Sequence, residues 1–90
     1  MNTTKEILHA ALLKIMDANR TRFGLQASTL LLQLRGEAIS ASKDEVMQAL
    51  DYLGGRTPPL VEETHPEINR ENRAWKITED GIRYVDEHGL

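Results

Sequence analysis

Residues 42–53, with the sequence SKDEVMQALDYL, are the stretch that decides the fold. Ser42 and Glu45 have the spacing of a capping box, in which each side chain accepts a hydrogen bond from the other residue's backbone N–H. Apolar residues then recur with helical spacing, at Val46, Ala49, Leu50 and Leu53. The pattern predicts an amphipathic helix over about residues 43–53, whose apolar side must pack against other elements.

The residues after this helix predict a change of direction and then a β-hairpin. Gly54 and Gly55 end the helix, and the two prolines that follow cannot continue it because proline lacks the amide donor. Residues 60–64 and 74–77 have the composition of short strands. The polar loop 65–73 is longer than a tight turn, so we expect a two-stranded hairpin with a mobile tip.

A short helix over about residues 79–88 is predicted after the second strand. Thr78 is suited to cap its N-terminus, and Glu79 and Asp80 place negative charge at the positive end of the helix dipole. Three residues offer it apolar contacts: Ile82, Tyr84 and Val85.

Two further helices are predicted before residue 42. Thr3 and Glu6 form another capping-box pair, and the apolar stripe behind them predicts a helix over about residues 4–19. A short apolar helix over about residues 28–35 follows. We expect this helix to have Ser28 as its N-cap and Gly36 as its left-handed C-terminal residue.

These elements predict a single α+β domain, mostly α-helical, over residues 1–90: a three-helix core, a two-stranded hairpin and a short C-terminal helix. Aromatic residues make up only 4% of the chain, so aliphatic side chains must build the core. The absence of cysteine excludes disulfides and thiolate metal sites and fits a cytoplasmic protein. The apolar runs are too short to span a bilayer and no signal peptide is evident, so we expect no membrane association.

This order of elements resembles the winged helix-turn-helix domains of bacterial regulators. Residues 44–53 are similar to the third helix of that family, in which an aliphatic triplet seats the helix on the core: here Val46, Leu50 and Leu53. Residues 75–85, WKITEDGIRYV, are similar to the segment that leaves the wing in MarR-like and PadR-like regulators, here at Ile77, Thr78 and Gly81. The resemblance covers nearly the whole chain and implies a winged-helix fold that binds DNA.

The resemblance also implies which residues contact DNA. In the family the third helix enters the major groove, and basic residues of the wing approach phosphates or the minor groove. The third-helix positions off the core stripe are Ser42, Lys43, Met47, Gln48 and Asp51, of which Ser42, Lys43 and Gln48 are competent to bond bases or phosphates. The wing positions are Asn69, Arg70, Asn72 and Arg73, and further phosphate contacts are expected from Arg20, Arg22 and Arg35.

The charge distribution departs from that pattern. The chain has a net charge of -3, and residues 37–53, which include the third helix, carry four acidic residues against one basic residue. Carboxylates that face DNA are repelled by phosphates unless they accept a hydrogen bond from cytosine. The same residues are therefore also explained as an ordinary solvated face, and the arginines as ordinary surface charges.

Enzymatic and cofactor-binding functions find no support in the sequence. The three histidines lie on different predicted elements without metal-binding spacing, and no phosphate-binding loop or nucleophile motif occurs. Glu62 and Glu63 are adjacent on a strand, so they point to opposite faces and cannot act as a carboxylate pair. Trp75 and Tyr84 are predicted to pack beneath the hairpin rather than stack on bases. We expect no enzyme activity, metal or cofactor.

Two functions remain. The first is a small transcriptional regulator that binds double-stranded DNA, as a homodimer formed through the first or last helix, because one such module makes few contacts. The second is a protein-interaction module whose acidic third and fourth helices dock a basic protein partner. Since winged helices serve both purposes, the choice between them rests on analogy with the fold.

Overall fold

The computed structural model describes residues 3–20, 24–64 and 73–90, with the side chains of Thr3 and Thr4 outside the description. These residues form four helices and a small antiparallel sheet. The helices are α1 (Thr3–Ala18), α2 (Ala27–Gly36), α3 (Lys43–Gly54) and α4 (Glu79–Glu87), and the strands are β1 (Leu25–Gln26), β2 (Val61–Thr64) and β3 (Ala74–Ile77). The predicted α+β class with mostly helical content is confirmed.

Helix α3 begins at the predicted capping box. The Ser42 hydroxyl oxygen accepts a hydrogen bond from the Glu45 N–H at 3.1 Å, and Glu45 Oε1 accepts one from the Ser42 N–H at 2.9 Å. The helix continues to Gly54, and Gly55 closes it by donating to the carbonyl oxygen of Asp51 at 2.9 Å. Both groups of end contacts are local in sequence, which explains why the pattern predicts this helix within one residue.

The structure describes the N-terminal cap of α4 but not that of α1. Helix α1 begins at Thr3, one residue before the predicted start, and the capping box of Thr3 with Glu6 stays a prediction because the Thr3 side chain is not described. At α4 the predicted cap is confirmed, because the Thr78 hydroxyl accepts from the Gly81 N–H at 3.0 Å. The same hydroxyl donates to the carbonyl oxygen of Pro59 at 2.7 Å, which ties α4 to the loop before β2.

Helix α2 lies within one residue of the predicted range at each end, but both predicted cap residues are wrong. The helix begins at Ala27, so Ser28 lies inside the first turn, and the N-cap is Gln26, whose side chain makes no capping bond. Gln26 belongs to β1, so the helix starts directly after the last extended residue. Its start therefore follows from strand pairing rather than from a cap.

At the other end of α2, the left-handed residue is Ala38, with a φ of 60°, and not Gly36. Ala38 donates to the Arg35 carbonyl at 3.0 Å and Ile39 to the Leu34 carbonyl at 2.9 Å, which is a Schellman motif. Ile39 packs against the core, and this contact sets the chain reversal at Ala38 rather than at Gly36.

The sheet has three strands in the order β1-β3-β2, both pairs antiparallel, instead of the predicted two. The hairpin of β2 and β3 is confirmed, with Val61 opposite Ile77 and Glu63 opposite Trp75. The missed strand, β1, places Leu25 opposite Trp75 on the other edge. Two residues are too few for an alternating pattern, so only the paired β3 strand identifies β1.

The core lies where α1 meets the other three helices and one face of the sheet. It is almost entirely aliphatic, as predicted, with Trp75 as its one large aromatic side chain among the described residues. Trp75 is only 2% exposed, whereas Tyr84 is half-buried and stacks on His88. Over the described ranges, no helix combines the length and apolarity needed to cross a membrane.

Candidate nucleic-acid interface

The outward side of α3 is polar and mostly acidic. Val46 and the rest of the apolar stripe are buried, while Lys43, Asp44, Gln48 and Asp51 are exposed. Met47, which was predicted to lie off the core, is half-buried and packs against it. The side of α3 that could face a groove of DNA therefore offers Lys43 and Gln48 among carboxylates.

The capping role of Ser42 limits what this residue can contribute to a ligand. Its hydroxyl oxygen already accepts from the Glu45 N–H, which leaves one lone pair and the hydroxyl hydrogen, and the hydrogen can donate to a phosphate or a base acceptor. Ser42 is exposed, and Lys43 follows it at the start of the helix. The positive end of the α3 dipole adds to the Lys43 charge at this point.

Arg73 is bound to carboxylates of the protein itself. Its Nε donates to Glu63 Oε2 at 2.8 Å and its Nη2 to Glu63 Oε1 at 2.7 Å, a bidentate pair across the hairpin. Nη2 also lies 3.2 Å from Asp51 Oδ1 on α3, and the guanidinium carbon is 4.8 Å from the centre of the Trp75 ring. We call Arg73, Glu63 and Asp51 the arginine clamp, because Arg73, directly before β3, joins Glu63 of β2 to Asp51 of α3.

The ion pair of Arg73 with Glu63 shifts the pKa values of both side chains in the direction that favours their charged forms. The hydrogen bond from Arg73 holds the pKa of Glu63 below its ordinary value of about 4.5. Burial opposes this shift, and the positive charge of Arg73 adds to it by a smaller amount. The same bond to Glu63 raises the pKa of Arg73, with Asp51 adding to the rise. Glu63 and Arg73 therefore stay ionised together throughout the physiological pH range.

The other predicted phosphate contacts are placed differently. Arg20 pairs with Asp17 one turn earlier, with 2.6 Å between Nη2 and Oδ1. Arg35 in the last turn of α2 and Lys43 in the first turn of α3 are exposed, and neither forms an ion pair within the described residues. The remaining candidates lie outside the described residues, as does the predicted mobile tip: Arg22, Asn69, Arg70 and Asn72.

No family model, curated protein or solved structure matches this chain. The resemblance to winged helix-turn-helix regulators stays a prediction based on the element order and on the two quoted segments. Within the part of the chain that the structure describes, no group of three or more histidine, aspartate or glutamate side chains is placed to hold a metal ion.

Two side-chain arrangements in the structure were not predicted from the sequence. One is the arginine clamp, whose partners are 10 and 22 residues away from Arg73. The other is a groove of about 470 Å³ between α1 and α3, beside a stacked pair formed by His9 and Tyr52. The hairpin register brings Glu63 within reach of Arg73, so this ion pair could have been predicted from the sequence. The contact of Arg73 with Asp51 on α3 could not, because it depends on how α3 packs against the hairpin.

The clamp predicts how stability changes with pH. Because the pKa of Glu63 is lowered in the folded protein, its ionised form stabilises the fold at pH values above about 4.5, and this contribution is lost as the pH falls through the lowered pKa. We expect Glu63→Gln to lower the free energy of unfolding by about 1–2 kcal/mol at pH 7. The difference should shrink toward zero in denaturation experiments at acidic pH.

The neighbouring Glu62 provides a matched control. Its carboxylate is half-exposed and lies 3.3 Å from Lys76, so Glu62→Gln should cost less than about 1 kcal/mol at pH 7. Equal losses for the two variants, or a Glu63→Gln loss that does not shrink as the pH is lowered from 7, would contradict the role of the clamp.

Proposed function

We propose that this chain binds double-stranded DNA as a small, non-enzymatic transcriptional regulator with a winged-helix fold. The observation that carries the proposal is the outward side of α3, where Gln48 and Lys43 are exposed on a helix held by its capping box and its buried stripe. A helix presented in this way has the size and polarity to enter the major groove. The function needs no cofactor and fits a cytoplasmic protein.

Phosphate contacts in this proposal come from exposed cations rather than from the clamp. Arg35 lies in the last turn of α2 and Lys43 in the first turn of α3, and neither forms an ion pair with a carboxylate of the described residues. Arg73 instead positions the hairpin against α3, because its guanidinium is already bound to Glu63 and Asp51. The acidic residues Asp44 and Asp51 weaken binding to any duplex by repelling its phosphates. Phosphate contacts by Arg35 and Lys43 would release counterions, so the affinity should fall as salt is raised.

A homodimer completes the proposal. One module of this size makes few base contacts, and two copies on paired half-sites would provide the specificity that one lacks. Helix α1 or α4 would form the dimer contact.

The proposal is tested by fluorescence anisotropy with a labelled random-sequence duplex at low salt. We expect binding whose affinity falls steeply as salt is raised. The double substitution Arg35→Ala with Lys43→Ala should weaken binding to all duplexes and lower the salt slope by about two, whereas Gln48→Ala should mainly change sequence preference. Arg56→Ala removes an exposed cation that lies outside α1 and α4, and this control should bind like the wild type. Absence of binding at low salt would reject the proposal.

A second candidate, docking of a basic protein, is favoured by the acidic surfaces of α3 and α4. These helices carry four exposed carboxylates that form no ion pair within the described residues: Asp44, Glu79, Asp86 and Glu87. A lysine-rich or arginine-rich segment would suit these surfaces. Binding of a lysine-rich peptide by a chain that does not bind DNA at low salt would favour this second function.

A further inference from the structure

The groove between α1 and α3 combines an apolar floor with an open aromatic wall. Leu8 and Ala49 form the floor, and Tyr52 on α3 lies against His9 on α1 with 4.8 Å between ring centres and 12° between ring planes. Tyr52 is 57% exposed, unlike the buried Trp75. A flat ring that enters the groove can therefore extend the stack, since aromatic side chains accept bases on an open face.

Lys5 lines this groove beside His9 and brings a positive charge to it, although the chain as a whole is acidic. Burial lowers the pKa of His9, and the positive charges of Lys5 and Arg56 lower it further. The carboxylates of Glu6 and Glu45 also line the groove, and Glu45 is engaged in the α3 cap. A negatively charged group at the His9 end would therefore have Lys5 as its partner.

Gln48 supplies a polar contact in the same groove. Its side chain is exposed, and its amide makes no hydrogen bond to the described residues. A carboxamide offers one acceptor and a pair of donors, which together match the N6 and N7 edge of adenine. The groove therefore presents a stacking surface, a base-edge partner and a cation.

We propose that the groove binds a nucleobase that carries a phosphate, with adenine as the preferred base. The base lies on Tyr52, its edge meets Gln48, and the phosphate meets Lys5 beside His9. Such a group could belong to a free nucleotide or to an unpaired base of a nucleic acid strand. Gln48 takes part in both proposals, but the inference does not require duplex binding, because the proposed phosphate contacts Arg35 and Lys43 do not line this groove.

The experiment is an NMR titration of the full chain with adenosine monophosphate, adenosine, ribose 5-phosphate and a short single strand of deoxyadenosine. Adenosine monophosphate should shift signals of His9, Gln48 and Tyr52 with a dissociation constant of about 1 mM or lower, and should raise the pKa of His9. Adenosine and ribose 5-phosphate should each bind at least about tenfold more weakly, because each lacks one of the two contacts. Tighter binding of the strand than of the nucleotide assigns the site to nucleic acid, and the reverse assigns it to a free nucleotide.

Two substitutions of Tyr52 show whether a loss of binding comes from the lost stacking contact or from a loss of folded structure. Tyr52→Ala should weaken binding of adenosine monophosphate about tenfold, while Tyr52→Phe keeps the ring and should bind like the wild type. Lys5→Ala should weaken the nucleotide but not adenosine. Circular dichroism checks that the variants fold, which is expected because Tyr52 is exposed.

Three results would overturn the inference. These are groove signals that do not move at about 10 mM nucleotide, ribose 5-phosphate binding as well as the nucleotide, or a folded Tyr52→Ala that retains wild-type binding. The double variant at Arg35 and Lys43 should bind the nucleotide normally. Failure of duplex binding and failure of this site are therefore distinguishable.

Discussion

Gly81→Ala is expected to lower the free energy of unfolding by about 3 kcal/mol, one of the two largest effects of a single substitution in this chain. Gly81 lies in the first turn of α4, buried against the loop before β2. A Cβ at this position would overlap the Leu60 carbonyl oxygen and lie 2.6 Å from Ile77 Cγ1. The Leu60 carbonyl cannot easily move away, because it accepts a hydrogen bond from the Thr78 N–H at 3.1 Å.

Gly36→Ala is the matched control for this substitution. Gly36 is also helical, but no atom lies within 4 Å of the position that its Cβ would occupy. Alanine there should leave stability unchanged or raise it by about 0.5–1 kcal/mol, because it reduces the conformational freedom of the unfolded chain. Urea denaturation followed by circular dichroism measures both variants. A Gly81→Ala protein as stable as the wild type would show that α4 can move away from Leu60.

Trp75→Ala is expected to cost about 3–5 kcal/mol, the usual loss when a large buried aromatic side chain is removed. Trp75 is 2% exposed and lies on the central strand, with Leu25 and Glu63 as its partners on the two neighbouring strands. Its ring also supports the Arg73 guanidinium at 4.8 Å. The substitution therefore leaves a cavity and loosens the arginine clamp together.

Two comparisons make the Trp75 prediction specific. Trp75→Phe retains most of the buried ring and should lose clearly less stability than Trp75→Ala. Leu32→Ala removes an apolar side chain that is 66% exposed and should change stability by less than about 0.5 kcal/mol. If Trp75→Ala and Leu32→Ala cost the same in thermal and urea denaturation, the sheet does not pack on the core as described.

The helices were the most predictable part of this protein, because their signals are local. The Ser42 and Glu45 pair, the Val46 stripe and the Thr78 cap each join residues three or four positions apart, and the structure contains all of them. The predicted caps of α2 are wrong because Gln26 is held by β3 and Ile39 by the core. A helical pattern compares residues three or four positions apart, so it contains no information about contacts with β3 or with the core.

The candidate site was less predictable than the fold. Lys43 and Gln48 are exposed as expected, but Met47 is not, since the width of the buried stripe depends on what packs beside α3. The largest change concerns Arg73, which the sequence presents as a free basic residue of the hairpin. The structure pairs it with two carboxylates from other elements, so its charge is already compensated.

Apolar periodicity and capping in the sequence were enough to predict a mostly helical α+β fold with an aliphatic core, a β2–β3 hairpin and the caps of α3 and α4. These signals act between neighbouring residues. The third strand, the arginine clamp and the groove beside Tyr52 depend on the packing of the folded chain. Each of these joins residues distant in sequence, and the contact forms only because packing of the core brings their elements together.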